Sequence, residues 1–107
     1  HKAKQTATVT ITRHHILVGS NKVAVLDEGQ VRTADQSDRL LITPLYDALA
    51  HQLEYDKKIA ELRRDAPVPG MLTIIADRDV NFQLLSQVMA TAGQAAYTQF
   101  KLATIKS

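Results

Sequence analysis

The stretch ADRDVNFQLLSQVMATAGQAAYTQFKLAT, residues 76–104, decides the fold. An apolar run, Met71 to Ile75, leads into it, and a second short apolar run closes it. Between them Leu84, Leu85, Val88, Met89 and Ala92 form one stripe of a helix with about 3.6 residues per turn. The unit therefore reads strand, helix, strand. A crossover of this length makes the two strands parallel, either as neighbours or with one strand between them. Met71 to Ala76 is almost wholly apolar, the pattern of a strand covered on both faces.

Upstream, Ala7, Val9 and Ile11 alternate with Thr8, Thr10 and Thr12, which predicts a strand with one face on a core. Arg13-His14 marks a turn, Ile16 to Val18 a second strand, Gly19 to Lys22 a turn, and Val23 to Leu26 a third strand. Residues 27–39, DEGQVRTADQSDR, lack a period and almost lack apolar content, so they read as a long insert loop of the kind that is functional or unstructured alone. Thr43-Pro44 opens a helix, with Thr43 as N-cap and Pro44 at the first helical position. It runs to about Arg64 on a stripe of Leu45, Leu49, Leu53, Ile59 and Leu62 that Asp56 interrupts, and the Pro-rich segment 66–70 stops it. The predicted order is βββ-α-β-α-β: an α+β domain, residues 1–107, in which a small mixed sheet carries two helices on one face.

These residues carry a resemblance. Ala76-Asp77 after an apolar strand, Val80-Asn81-Phe82 at a helix start, Val88-Met89 within the helix and Leu102-Ala103-Thr104 in a closing strand resemble the C-terminal half of the soluble domain of the ExbD/TolR family of biopolymer-transport proteins. The resemblance spans residues 71–104, is weaker over 7–26 and 43–62, and is absent from 27–42. It rests on order and spacing, not on a diagnostic residue. Asn81 stands where the family usually has Pro and is able to cap the helix in its stead. Asp77 and Asp79 belong to the turn and helix start, where a carboxylate is worth ~0.3–1 kcal/mol against the helix dipole. Ala96 stands where the family usually has Gly. Either it adopts a left-handed conformation at a cost of about 1 kcal/mol, or the helix ends in another way, fraying at Gly93.

Composition bounds the rest. The chain has 107 residues, enough for one domain, with 45% hydrophobic and 22% charged residues. Its net charge is +2, and Lys57, Lys58, Arg63 and Arg64 are interleaved with Glu54, Asp56, Glu61 and Asp65, a solvated helix face and not a nucleic-acid footprint. Cysteine is absent, which removes disulfide and thiol chemistry. No apolar run reaches the ~20 residues of a membrane span. The polar start HKAKQT fits a chain that begins just past the family's membrane helix.

Chemistry is hard to find. Adjacent residues of a strand point to opposite faces, so His14 and His15 cannot both hold one ion without a sharp bend, and His51 stands alone on its helix. His1 is at the chain end, and Ser20, Ser37 and Ser86 have no base nearby in sequence. Leu85 and Met89 read as core, and Phe82, Tyr97 and Phe100 as packing at element ends, where exposure would instead point to a partner. No catalytic, cofactor or metal site is expected, and no enzyme.

The resemblance implies the periplasmic domain of a single-pass inner-membrane protein in a motor driven by the proton motive force. Its implied partners are an ExbB- or TolQ-like membrane subunit, through a membrane helix outside this chain, and a TonB- or TolA-like protein, a motility protein or peptidoglycan. Envelope transport and gliding motility are both within the family's range. The last strand, Gln99, Phe100, Lys101, Leu102, Ala103 and Thr104, is expected at or near a sheet edge, where it serves a homodimer or an extended partner segment. The alternative reading is a stand-alone small α+β domain that binds a small ligand or RNA.

Overall fold

The computed structural model describes residues 6–32, 41–64 and 68–105. The described elements are β1 (Ala7–Ile11), β2 (His15–Val18), β3 (Asn21–Asp27), β4 (Gln30–Val31), α1 (Thr43–Leu62), β5 (Met71–Asp77), α2 (Phe82–Gln94) and β6 (Gln99–Ile105). They form one six-stranded sheet in the order β4-β3-β2-β1-β5-β6. β1 to β4 are an antiparallel meander, while β1–β5 and β5–β6 are parallel, so the sheet is mixed.

Register explains the single core. Val9 pairs with Val18 on one side and Ile74 on the other, and Ile74 pairs with Leu102. Ala7 and Leu72 form the row below, and Ile11, Ile16 and Ala24 the row above. These inward residues meet Leu45, Leu49 and Leu53 of α1 and Leu84, Val88 and Ala92 of α2 in one buried cluster. On the opposite face Thr8, Thr10, Leu17, Thr73 and Ile75 are half-buried. The expectation that β5 is covered on both faces is therefore corrected. Its apolar text reflects a central position in the sheet, and helices lie on one side only. The register of β2 and β3 slips beside Ile16 and Leu17, which leaves Val23 as the extra residue of a bulge.

A buried polar joint ties the helices together. Thr91 is fully buried; its hydroxyl accepts the Ile42 N–H at 3.1 Å and donates to the Gln87 carbonyl at 2.8 Å. The chain entering α1 is thereby held by α2. The N-cap is Ile42 and makes no side-chain cap, so the expected cap at Thr43 is corrected: Thr43 is already helical. α1 ends at Leu62, and Leu62, expected on the apolar stripe, is corrected to an exposed residue at 79%. Asp56, which interrupts the apolar stripe, is buried.

α2 behaves as its sequence predicts. The Asn81 side chain accepts the Leu84 N–H at 2.7 Å, a true N-cap. At the other end Ala96 has φ 75°, in the left-handed region. The Tyr97 N–H reaches the Ala92 carbonyl and the Ala96 N–H the Gly93 carbonyl, both at 3.1 Å, the paired bonds of a Schellman cap. Of the two expected endings, the left-handed Ala96 is the one adopted, and Gly93 stays inside the helix.

The insert also differs from expectation. Asp27 closes β3, and Gln30–Val31 return antiparallel to it through a two-residue turn at Glu28-Gly29. Both turn residues have positive φ, 53° and 78°, as a type I′ hairpin turn requires. Val31 is buried and anchors the hairpin to the core. The element order is thus ββββ-α-β-α-β, and the rest of the expected loop, 33–39, lies outside the described residues.

Candidate functional site

Two surfaces concentrate the features that sequence singled out. The first is the edge formed by β6, which pairs with β5 alone among the described strands. The Gln99 N–H donates to the Gly70 carbonyl at 3.2 Å, so Gln99 faces β5. In a parallel strand successive residues present their N–H and C=O to alternate sides. Lys101 and Ala103 therefore bond toward β5, and Phe100, Leu102 and Thr104 present free backbone groups outward.

The side chains at this edge are apolar on the helix side. Leu102 shares a face with Ile74 but is 56% exposed. Thr91 of α2 faces α1, so the opposite flank of α2, with Phe82, Leu85 and Met89, lies on the β6 side. Leu85, Met89 and Phe100 pack in part against the core, as expected. Phe82 does not. It is 80% exposed, and its expected role as a packing residue is corrected, because it occupies the first helical position, beyond the last covered turn. Tyr97, by contrast, is buried.

The second surface is a cleft of about 310 Å³ at the carboxyl ends of β1 and β5. It is floored by Leu26, Val80 and Leu84, and Arg13, His14, Glu28, Asp79 and Asn81 stand around it. Its position has a topological reason. β1 leaves the sheet toward β2, and β5 leaves in the opposite direction toward β6. Such a switch point opens a crevice between the two departing loops, the common location for ligands in open sheets.

The turn residues act here in different ways. The Asp77 side chain accepts the Asp79 N–H at 3.0 Å and shapes the turn. Asp79 accepts from Arg13 at 2.8 Å, an exposed ion pair that links the β1–β2 turn to the β5–α2 turn and stabilises by ~1 kcal/mol at most. Asp77 and Asp79 are thus separately engaged and do not form a carboxylate pair. Asn81 caps α2 and also donates to the Gly29 carbonyl at 3.4 Å, which brings the β3–β4 turn onto the helix start. Sequence reading missed Arg13, Glu28 and Gly29 as cleft residues. The signal was Glu28-Gly29 directly after an apolar strand, which is a turn dipeptide in a less common form.

His14 is exposed and His15 half-buried, and His51 is exposed on α1. Among the described residues no group of three His, Asp or Glu side chains is placed to hold a metal ion. Ser37 and His1 lie outside the described residues. Among the described residues no helix is long and apolar enough to cross a membrane. Compared with known proteins, the chain matches no family, no curated protein and no solved structure.

Proposed function

We propose that this chain is the periplasmic domain of an ExbD/TolR-like subunit of a proton-driven membrane motor. In this reading it is not an enzyme. It dimerises, or grips an extended segment of an envelope partner, and passes on movement that originates at an ExbB- or TolQ-like subunit in the membrane. The TonB- or TolA-like protein, motility protein or peptidoglycan named by the resemblance is the recipient.

The observation that carries this reading is the β6 edge. The closing strand of the resemblance is a sheet edge with outward backbone groups and exposed Leu102 and Phe82 beside it. An edge of this kind recruits another strand by main-chain hydrogen bonds, with alternate side chains giving specificity. A symmetric antiparallel pairing centred on Leu102 sets Leu102 against its copy and Lys101 opposite Ala103, so like charges do not meet.

Two experiments test it. The gene should encode, ahead of this domain, an apolar helix of about 20 residues containing one acid; a full-length protein without it rules the reading out. Sedimentation of the domain should show a concentration-dependent dimer. Thr104→Pro removes one outward N–H and leaves the core side chains untouched. A folded variant with undiminished self-association would exclude β6 as the interface.

The cleft favours the second reading, a stand-alone domain that binds a small ligand, since it lies at a switch point with charged groups over an apolar floor. Chemical-shift changes confined to Leu26, Val80 and Leu84 on screening small amphiphiles, together with a monomeric domain, would favour it over the motor reading.

A further inference from the structure

Asp56 occupies a position that the fold reserves for an apolar side chain. It follows Leu45, Leu49 and Leu53 on the inward stripe of α1 and is 1% exposed. One carboxylate oxygen accepts from the Gln52 side chain at 2.8 Å, and the other has no hydrogen-bond partner among the described residues. A buried carboxylate left half-satisfied is costly in its charged form and much less so when neutral.

Tyr97 packs on the same inward face of α1. Its ring is buried, and its hydroxyl donates to the Leu49 carbonyl at 3.3 Å, on the α1 face that carries Asp56. Tyr97 also closes the Schellman cap of α2 and lies just ahead of β6. The Gln52–Asp56 and Tyr97–Leu49 bonds thus lie along one face of α1 on adjoining turns, and the second fastens the launching point of the edge strand to the helix.

Few other groups face Asp56. Gln52 comes from its own helix and Tyr97 from the α2–β6 turn. From β2 and β3, which α1 also covers, the inward side chains are Ile16, Val18, Ala24 and Leu26. α2 turns Thr91 toward the start of α1, and it does not titrate. Among the described residues no cation pairs with the Asp56 carboxylate.

We infer that Asp56 is a proton-operated latch on the edge strand: neutral, it lets Tyr97 sit closed on α1, and ionised, it favours opening of the Tyr97 turn and loosening of β6. Opening admits water to the carboxylate and returns it to its ordinary acidity. Burial raises the Asp56 carboxyl above the usual aspartate range in the closed state, which sets the sign. Closure is fully favoured below the ordinary aspartate range and loses ground as pH rises toward the higher closed-state value, beyond which it levels off. The device stands independently of the motor reading, because it needs only the α1–Tyr97 contact.

Hydrogen exchange of the whole chain tests it, with each amide corrected for its intrinsic exchange rate. As pH rises from the ordinary aspartate range, protection of the Tyr97, Thr98 and Gln99 amides should fall, at up to about tenfold per pH unit within the titration window of Asp56. Protection of Val9 and Ile11, at the sheet centre, should fall less. In Asp56→Asn, which is isosteric and cannot ionise, the dependence should vanish. Carbon NMR titration of Asp56 in the unaltered chain should show its midpoint above that of exposed aspartates. A flat profile at Tyr97 to Gln99, an equal slope in Asp56→Asn, or an equal fall at Val9 and Ile11 would each overturn the latch.

Discussion

Ile74 and Leu102 are direct partners across β5 and β6, on the same face of the sheet, yet Ile74 is fully buried and Leu102 is 56% exposed. The helix layer ends between them. Truncating each should therefore have opposite consequences. Ile74→Ala should cost about 2–5 kcal/mol of stability in urea denaturation, as a large-to-small change in a packed core does. Leu102→Ala should cost less than about 1 kcal/mol, because little apolar area leaves contact, and should weaken self-association in sedimentation. Equal costs would mean that the α2 layer reaches β6.

Ala96 holds its left-handed conformation, φ 75°, without the freedom glycine has. Ala96→Gly should raise stability by roughly 1 kcal/mol, seen as a higher denaturation midpoint with an unchanged slope. Ala96 is exposed, so no packing is lost in the exchange.

Among the described residues Glu28 is the other non-glycine residue with positive φ, at the first position of the β3–β4 turn. Asn tolerates this region better, and Asn-Gly is a favoured type I′ pair. Glu28→Asn should stabilise by about 0.5–1 kcal/mol, and thermal unfolding of the two proteins at one pH checks it.

Tyr97 predicts an alkaline effect. Burial, first, and the charge of Asp56, second, push its phenol up to about 12 from its ordinary 10.0. The neutral phenol is the form the fold prefers. Its contribution is complete below the unfolded value and is lost as pH rises from 10.0 through about 12. The stability difference between the protein and Tyr97→Phe should shrink across that interval, and absorbance titration should show a late-ionising phenol that Tyr97→Phe removes.

Much of this was readable from residue pattern. The alternation of Ala7, Val9 and Ile11 fixed which face of β1 is inward, and the stripe Leu84, Val88, Ala92 fixed the buried face of α2. Asn81 as cap, and a left-handed Ala96 as one of two endings, came from the resemblance, at positions where Pro and Gly are usual, joined to backbone chemistry. What escaped depends on tertiary context. The run Met71–Ala76 reports the central position of β5 but not that one face lacks a cover. Phe82 looks like core until the helix end is located. Asp56 reads as a break in a stripe, and only the seating of Tyr97 shows that it is buried. The β4 hairpin was hidden because Glu precedes the glycine of its turn. Of the two surfaces, the β6 edge was legible from chain order and alternation. The cleft was not, since it joins Arg13, Glu28 and Asp79 across loops distant in sequence.

The parallel pairing of β1, β5 and β6 has a mechanical consequence. All three strands run the same way, with Ala7, Leu72 and Phe100 side by side at one end and Ile11, Ala76 and Thr104 at the other. A tether ahead of Ala7 and a load taken along β6 toward Thr104 would pull along the strand axis. Every rung of the two ladders then shares the force at once, in shear. A sideways pull on β6 would instead peel the rungs from β5 one after another. The sheet is consequently strong in one direction and weak in another, and a partner laid along the edge meets it in the strong one.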